Sequence, residues 1–157
     1  VNINPKNNNE DLTYLLSHKG AELLAESILK FANNIIKAMP QSSSGITYAK
    51  KIFKVDEVID WDKNANDVLN QIRALSPSPG AKCRINGETI KVIDAEVVKY
   101  EEKIANGIVV DNPIVIKCAE NAIKINILQR PGKKIMSSKD VINGWSIIKG
   151  SKMENIK

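Results

Sequence analysis

KCRINGETIKVIDA, residues 82–95, holds two runs of alternating apolar and polar side chains on either side of the pair Asn86-Gly87. Asparagine and glycine both accept a positive φ, which a two-residue type I′ hairpin turn requires. Runs with a period of two are typical of strands that have one buried face. The stretch therefore predicts an antiparallel hairpin with strands at 82–86 and 89–95.

Short runs of the same kind continue after the hairpin. Apolar side chains alternate along 114–118 and again along 123–127, and turn-forming Asn, Asp, Gly and Pro separate the runs. About five short strands with interspersed turns favour a small antiparallel barrel. We therefore predict a mainly β protein, an OB-like Greek-key barrel with short helices over residues 46–150.

A longer helix is predicted ahead of the barrel. Residues 12–39 repeat apolar side chains at helical spacing, with charged residues on the other face. We expect Pro40 to end this helix, because proline cannot continue the hydrogen-bond ladder. The predicted division of the chain is a mostly helical segment at 1–40, a flexible linker (QSSSG) at 41–45, the barrel at 46–150 and a frayed tail at 151–157.

Two shorter helices are predicted within the barrel segment. Residues 64–75 carry an apolar stripe after Asn64 or Asp62, either of which suits an N-cap. Residues 138–143 follow Ser137, whose hydroxyl can cap the helix in the same way. The prolines and glycine of SPSPG, residues 76–80, predict a hard turn between the first of these helices and the hairpin.

The sequence does not support a disulfide, a metal site or a membrane span. Cys83 and Cys118 stand far apart in apolar stretches with no histidine nearby, which predicts two buried, reduced thiols, as in a cytoplasmic protein, and no metal site. His18, the single histidine, is predicted to lie on the helix surface. No run approaches the roughly 20 apolar residues of a membrane span.

The net charge of +5 is unevenly placed. Residues 1–45 carry four lysines and four acidic residues, so the whole excess lies in 46–157. A basic domain that follows a neutral segment suggests a polyanionic partner. The alternative from charge alone is a soluble basic surface with no particular partner.

Five sequence words give a more specific indication. They occur in this order along the chain: GITYAKKI (45–52), IDW (59–61), IRALSPSPGA (72–81), INGETIKV (85–92) and LQRPGKKIMSSKDVINGW (128–145). Together they resemble the C-terminal domain of bacterial-type methionyl-tRNA formyltransferases. The helix at 12–39 resembles the element that closes the N-terminal domain of that family and leads into the linker.

The resemblance implies a function for the parent protein and a narrower role for this chain. Enzymes of that family transfer a formyl group from 10-formyltetrahydrofolate to the amino group of methionyl initiator tRNA. The family's catalytic Asn, His and Asp would all lie upstream of Val1, in a missing N-terminal catalytic domain. We therefore expect no catalytic residue and no bound cofactor in this chain, and we expect it to help hold initiator methionyl-tRNA in the cytoplasm of a bacterium.

The basic side chains in or beside the five words are the candidate tRNA-binding residues. A barrel core does not need them, whereas phosphate neutralisation supplies much of the affinity of nucleic-acid-binding proteins. Any single one could instead be solvated surface. The predicted set is Lys50, Lys51, Arg73, Lys82, Arg84, Lys91, Arg130, Lys133 and Lys134.

Two other functions remain open at this point. The chain could be the C-terminal part of another folate-dependent formyltransferase or hydrolase, which shares the architecture but needs no tRNA-binding face. It could also be a free-standing nucleic-acid-binding barrel, although aromatic residues for base stacking are scarce. The basic word GKK at 132–134 favours the tRNA enzyme over the first of these.

Overall fold

The structure is a computed structural model, and it describes residues 1–154 and 156. The chain divides into two compact units between Ile52 and Phe53, which is later than the linker that the sequence predicts at 41–45. Residues 46–52 have exposed side chains and no regular secondary structure, so they add nothing to a core.

The first unit contains one helix, α1, Asn9–Ala32. Asn8 caps its start in a capping box with Asp11, with both hydrogen bonds at 3.0 Å. The predicted end at Pro40 is wrong. The helix stops earlier because Asn34 adopts a φ of 57°, and the Ile35 N–H donates back to the Lys30 carbonyl at 2.8 Å. This is a Schellman motif, in which asparagine takes the place of the more usual glycine.

The second unit confirms the mainly β prediction. Its elements are α2 Ala65–Leu75, β1 Ala81–Ile85, β2 Glu88–Val98, β3 Val109–Asp111, β4 Val115–Lys117, β5 Ala122–Gln129, β6 Ile135–Ser137 and α3 Ser138–Ile142. Both predicted caps are present, since Asn64 accepts from the Asp67 N–H and Ser137 accepts from the Asp140 N–H.

The six strands form one antiparallel sheet in the order β1-β2-β5-β4-β3, and β6 pairs with the far end of β5. β3, β4 and β5 are consecutive, and β2 lies beside β5, which is the order of a Greek key. The hairpin turn pairs Ile85 with Glu88 as expected for Asn86-Gly87. Along β2 the register with β5 shifts at two places between Val92 and Ala95, so this long strand bends.

The predicted barrel takes the form of an open sheet whose two edges are joined by the C-terminal segment. β1 and β3 are not paired with each other among the described strands. Residues 150–154, which we call the strap, bridge the gap. Gly150, Ser151 and Met153 exchange backbone hydrogen bonds of 2.8 Å with Gly107 and Val109 on one side. On the other side, the Glu154 N–H donates to the Arg84 carbonyl at 2.8 Å.

The strap replaces the frayed tail that the sequence predicts from residue 151. Met153 is only 6% exposed and belongs to the core, so apolar burial and the edge hydrogen bonds hold residues 151–154 in place. Asn155 and Lys157, the other part of the predicted tail, lie outside the described residues.

The larger of two hydrophobic clusters among the described residues lies between the sheet, α2 and α3. The inward side chains of β1, β2 and β5 meet Val68, Ile72 and Leu75 of α2 there. Cys83 and Cys118 are both buried, as predicted, and form no disulfide, and burial raises the pKa of each thiol to about 12. Helices long and apolar enough to cross a membrane are absent from the described residues.

Candidate nucleic-acid interface

The outward face of the hairpin gathers basic side chains because the register of the strands aligns them. Lys82 pairs directly with Lys91, and Lys91 pairs with Gln129 on β5. Directly paired residues point to the same face of a sheet, with Cβ atoms about 4.5–5.5 Å apart. The Gln129 side chain then donates to the Lys133 carbonyl at 3.0 Å. We call this surface, made by Lys82, Lys91, Gln129, Lys133 and Lys134, the basic strip.

Some of the predicted cations are neutralised within the protein. The Lys82 ammonium forms an ion pair with Glu57, whose carboxylate is largely buried. Arg84, on the same face of β1, donates from Nε to Glu154 on the strap at 3.0 Å. The backbone N–H of Gly87 and this arginine together hold the pKa of Glu154 below its usual range. These two ion pairs attach the segment around Glu57 and the strap to β1.

Arg130 has the most specific environment of the predicted set. Its Nε and Nη2 donate to the two oxygens of Glu88 at 3.0 Å and 2.6 Å, a bidentate pair. Its guanidinium also lies 4.4 Å from the ring centroid of Trp145. The hydrogen bonds from Arg130, and to a smaller extent the charges of Arg130 and Lys133, hold the pKa of Glu88 below its usual value. Glu88 therefore stays ionised and keeps Arg130 in one place.

Three lysines of the basic strip have no such partner. Among the described residues, Lys91, Lys133 and Lys134 form none of the ion pairs within 4.0 Å. The stem of Lys91 lies across Gly80, since a Cβ at that glycine would be 3.1 Å from Lys91 Cδ. Lys133 and Lys134 are exposed in the turn before β6. These are the cations available to a polyanion.

One further predicted cation of the second unit is not brought to the strip. Arg73 lies on α2, which packs over the buried side of the sheet, and it donates to Asn70 at 3.3 Å. Lys50 and Lys51 lie in the first unit, in an exposed segment with no regular secondary structure.

Sequence reasoning missed the acidic partners and Gln129. Glu57, Glu88 and Glu154 decide which cations are neutralised, yet each lies 25–70 residues from its partner. The pairing of Lys82 with Lys91 could have been found, because a two-residue turn at Asn86-Gly87 fixes that register. The position of Gln129 depends on the bend of β2 and leaves no local signal.

The side chains that commonly bind metal ions are dispersed in the described residues. Across the part of the chain that the structure describes, His, Cys, Asp and Glu nowhere form a group of three or more that could hold a metal ion. His18 lies exposed on α1, as predicted, and stacks near Tyr14 with ring centroids 4.2 Å apart.

Known proteins resemble this chain in both sequence and fold. Residues 51–146 match the family model described as "Formyl transferase, C-terminal domain". A methionyl-tRNA formyltransferase of Dictyoglomus turgidum is 34% identical over 99% of this chain and 51% of its own length. A second one, from Afipia carboxidovorans, is 38% identical over 88% of this chain and 46% of its own length. The chain therefore spans about half the length of the curated relatives it matches.

Solved structures with this fold have lower sequence similarity. HypX from Aquifex aeolicus in complex with tetrahydrofolic acid superposes with a TM-score of 0.57 at 18% identity. The match covers 83% of this chain and 26% of HypX, and it supports the fold alone. Since the family model spans more than half of the chain, the protein belongs to the formyl transferase C-terminal domain family.

Proposed function

We propose that this chain is the tRNA-binding C-terminal part of a methionyl-tRNA formyltransferase. In the parent enzyme a formyl group would pass from 10-formyltetrahydrofolate to the amino group of methionyl initiator tRNA. The names of the relatives support this reaction, and the basic strip supports the role of this chain in it. Holding the tRNA is a real contribution to such a reaction, because orienting two reactants lowers the entropic part of the barrier.

The observation that carries the proposal is the set of lysines of the basic strip that have no carboxylate partner. Lys91, Lys133 and Lys134 are joined through Gln129 and lack carboxylate partners among the described residues. Cations left unpaired can neutralise phosphates and release counterions, which favours binding to any nucleic acid at low salt. The strip contains no aromatic side chain for base stacking, so we expect contacts to the backbone rather than to the bases.

The chemical step is assigned to the missing N-terminal catalytic domain. A cavity of about 630 Å³ is lined by three glutamates and two lysines along 100–106 and 117–121. This acidic lining does not fit a folate, whose glutamyl tail is anionic, so no step of the reaction is placed here. α1 exposes Leu24, Leu29 and Phe31, an apolar surface that we assign to the contact with that domain. The buried thiols suit the bacterial cytoplasm, to which we assign the protein.

The proposal is tested by tRNA binding across a salt series. The double variant Lys133→Ala/Lys134→Ala should flatten the log–log dependence of affinity on salt by roughly one and a half units, since each lost phosphate contact removes about 0.7–0.9. Initiator and elongator tRNA should be weakened alike, because phosphate contacts carry no sequence information.

A matched control removes the same charge elsewhere. Lys63 and Lys103 are exposed lysines of the second unit that lie outside the basic strip, and Lys63→Ala/Lys103→Ala should change the slope much less. Equal losses from the two double variants would mean a diffuse effect of net charge. A wild-type chain that binds no tRNA at low salt would contradict the proposed role.

A further inference from the structure

A small cavity beside the basic strip is lined mainly by cations, whereas two larger cavities of the same unit have more acidic than basic side chains. It has a volume of about 140 Å³ and lies between the turn before β6 and α3. Its lining is Arg130, Lys133, Lys134, Met136, Asp140, Val141 and Gly144. Three cations therefore face one carboxylate. A cavity of about 350 Å³ elsewhere in the unit has the opposite balance, because Asp60, Asp62 and Glu154 line it together with Lys152. We call the small cavity the cationic pocket.

The cations of this pocket have hydrogen-bond donors that are not used within the protein. Arg130 uses the N–H of Nε and one N–H of Nη2 for Glu88, which leaves three of its five N–H groups, two of them on Nη1, for a ligand. Lys133 and Lys134 form no ion pair among the residues described. Asp140 is already engaged, because its Oδ2 accepts the Ser137 hydroxyl at 2.6 Å. The donors thus outnumber the acceptors that the protein supplies.

The pocket is also held in shape before any ligand arrives. Trp145 and Glu88 fix the Arg130 guanidinium from two sides. The Lys133 N–H donates to the Arg130 carbonyl at 3.1 Å, and Gln129 holds the Lys133 carbonyl. Fixing the guanidinium and the lysine backbone in advance reduces the entropy lost on binding. A diffuse basic surface has no such scaffold.

We propose that the cationic pocket is a seat for one phosphate group, bound in a fixed position by Arg130, Lys133 and Lys134. The inference deepens the proposed tRNA binding and rests on it. The volume of about 140 Å³ leaves room for a phosphate and a few waters, since one water needs about 10–15 Å³ of such space. Arg130 keeps Glu88 as one partner and gives its free edge to the phosphate. The phosphate comes either from the RNA backbone or from a terminal monoester.

The first test uses inorganic phosphate as the probe. Backbone amide resonances of the 157-residue chain are followed during a phosphate titration, with chloride at matched ionic strength as the reference. Saturable shifts are expected in 130–134 and 141–144, and Lys133→Ala/Lys134→Ala should weaken phosphate binding by about tenfold or more, because charge-assisted hydrogen bonds are lost. Lys139→Ala removes an exposed cation of α3 outside the lining and should weaken it less than about twofold.

Arg130 needs a gentler variant, since its removal would leave Glu88 unpaired. Arg130→Lys keeps the charge but loses the planar fork, so phosphate affinity should fall while the unfolding transition of the β unit is kept. Unchanged affinity in this variant would remove Arg130 from the seat. Shifts spread evenly over the basic surface, or equal in chloride, would overturn the seat itself.

RNA hairpins with and without a 5′-phosphate identify the source of the group. A gain for the phosphorylated hairpin that is lost in Lys133→Ala/Lys134→Ala assigns the seat to a terminal monoester, and equal binding of both assigns it to the backbone. If tRNA binding depends on the two lysines but phosphate produces no local shift, the seat is wrong and the proposed function stands. If phosphate binds in the pocket but tRNA does not bind, the proposed function fails instead.

Discussion

The two units of this chain use similar apolar residues with opposite results. In the first unit, Leu24, Leu29 and Phe31 on α1 are 58–66% exposed, and within Asn9–Ala32 no side chain is buried. In the second unit, Ile123 and Ile125 are completely buried in a core that runs from Ile59 to Met153. An apolar stripe alone therefore predicts a helix but does not supply the partner that the stripe requires.

This difference also separates local from long-range stability. α1 depends on its capping box and its Schellman motif, together with ion pairs such as Lys30 with Glu26 at 2.5 Å. The β unit depends on the removal of apolar area from water across strands that are distant in sequence. Changes in the two units should thus have very different effects on unfolding.

The largest expected difference comes from one truncation made in each unit. Ile125→Ala should lower the free energy of unfolding of the β unit by about 2–5 kcal/mol, because it leaves a cavity in a packed core. Leu24→Ala should change the stability by less than about 0.5 kcal/mol, since the side chain is already exposed. Urea unfolding measures the first through the fluorescence of Trp61 and Trp145, and helical circular dichroism follows α1. Equal costs would mean that α1 is buried in solution.

A smaller difference is expected from two glycines with a positive φ. Gly80 has a φ of 86°, and a Cβ there would meet Lys91 Cδ at 3.1 Å and the Pro77 carbonyl oxygen at 3.3 Å. Gly80→Ala should destabilise the β unit by about 1–3 kcal/mol, from backbone strain and overpacking. Gly45 in the first unit has a φ of 76° with open space around it. Gly45→Ala should leave the tryptophan-detected transition in place, and a matching loss there would contradict the separation of the units.

The smallest effect is expected from removing the first unit altogether. A chain that begins at Phe53 keeps every residue of the hydrophobic core, so its unfolding free energy should lie within about 0.5 kcal/mol of the full chain. A chain that begins at Ile46, where the sequence places the start of the domain, should behave alike. Loss of the cooperative transition on either deletion would show that the division at Ile52 is wrong.

The sequence predicted those parts of the fold that depend on neighbouring residues. Asn86-Gly87 predicted the hairpin, Asn64 was one of two predicted caps for α2, and Ser137 marked the start of α3. The end of α1 was missed because Pro40 is the more obvious stop signal. The positive φ of Asn34 belongs to the Schellman motif, and the only sign of that motif in the sequence is the pair Asn33-Asn34.

The candidate site was predictable as a list of cations but not as a surface. Which of them remain available depends on Glu57, Glu88 and Glu154, whose side chains reach Lys82, Arg130 and Arg84 only after the strands have paired. Arg130 illustrates the limit. Composition suggests one more positive charge, whereas the structure shows a guanidinium already bound to a carboxylate and stacked on an indole.

The strap also decides whether the two edges of the sheet are open to other chains. The strap follows all six strands in the sequence, and without it the sheet would have two open edges. β1 offers Arg84 to the strap, and the β3 side offers Gly107 and Val109. Unpaired strand edges are templates for pairing with other chains. The strap therefore closes two strand edges that could otherwise pair with a second chain.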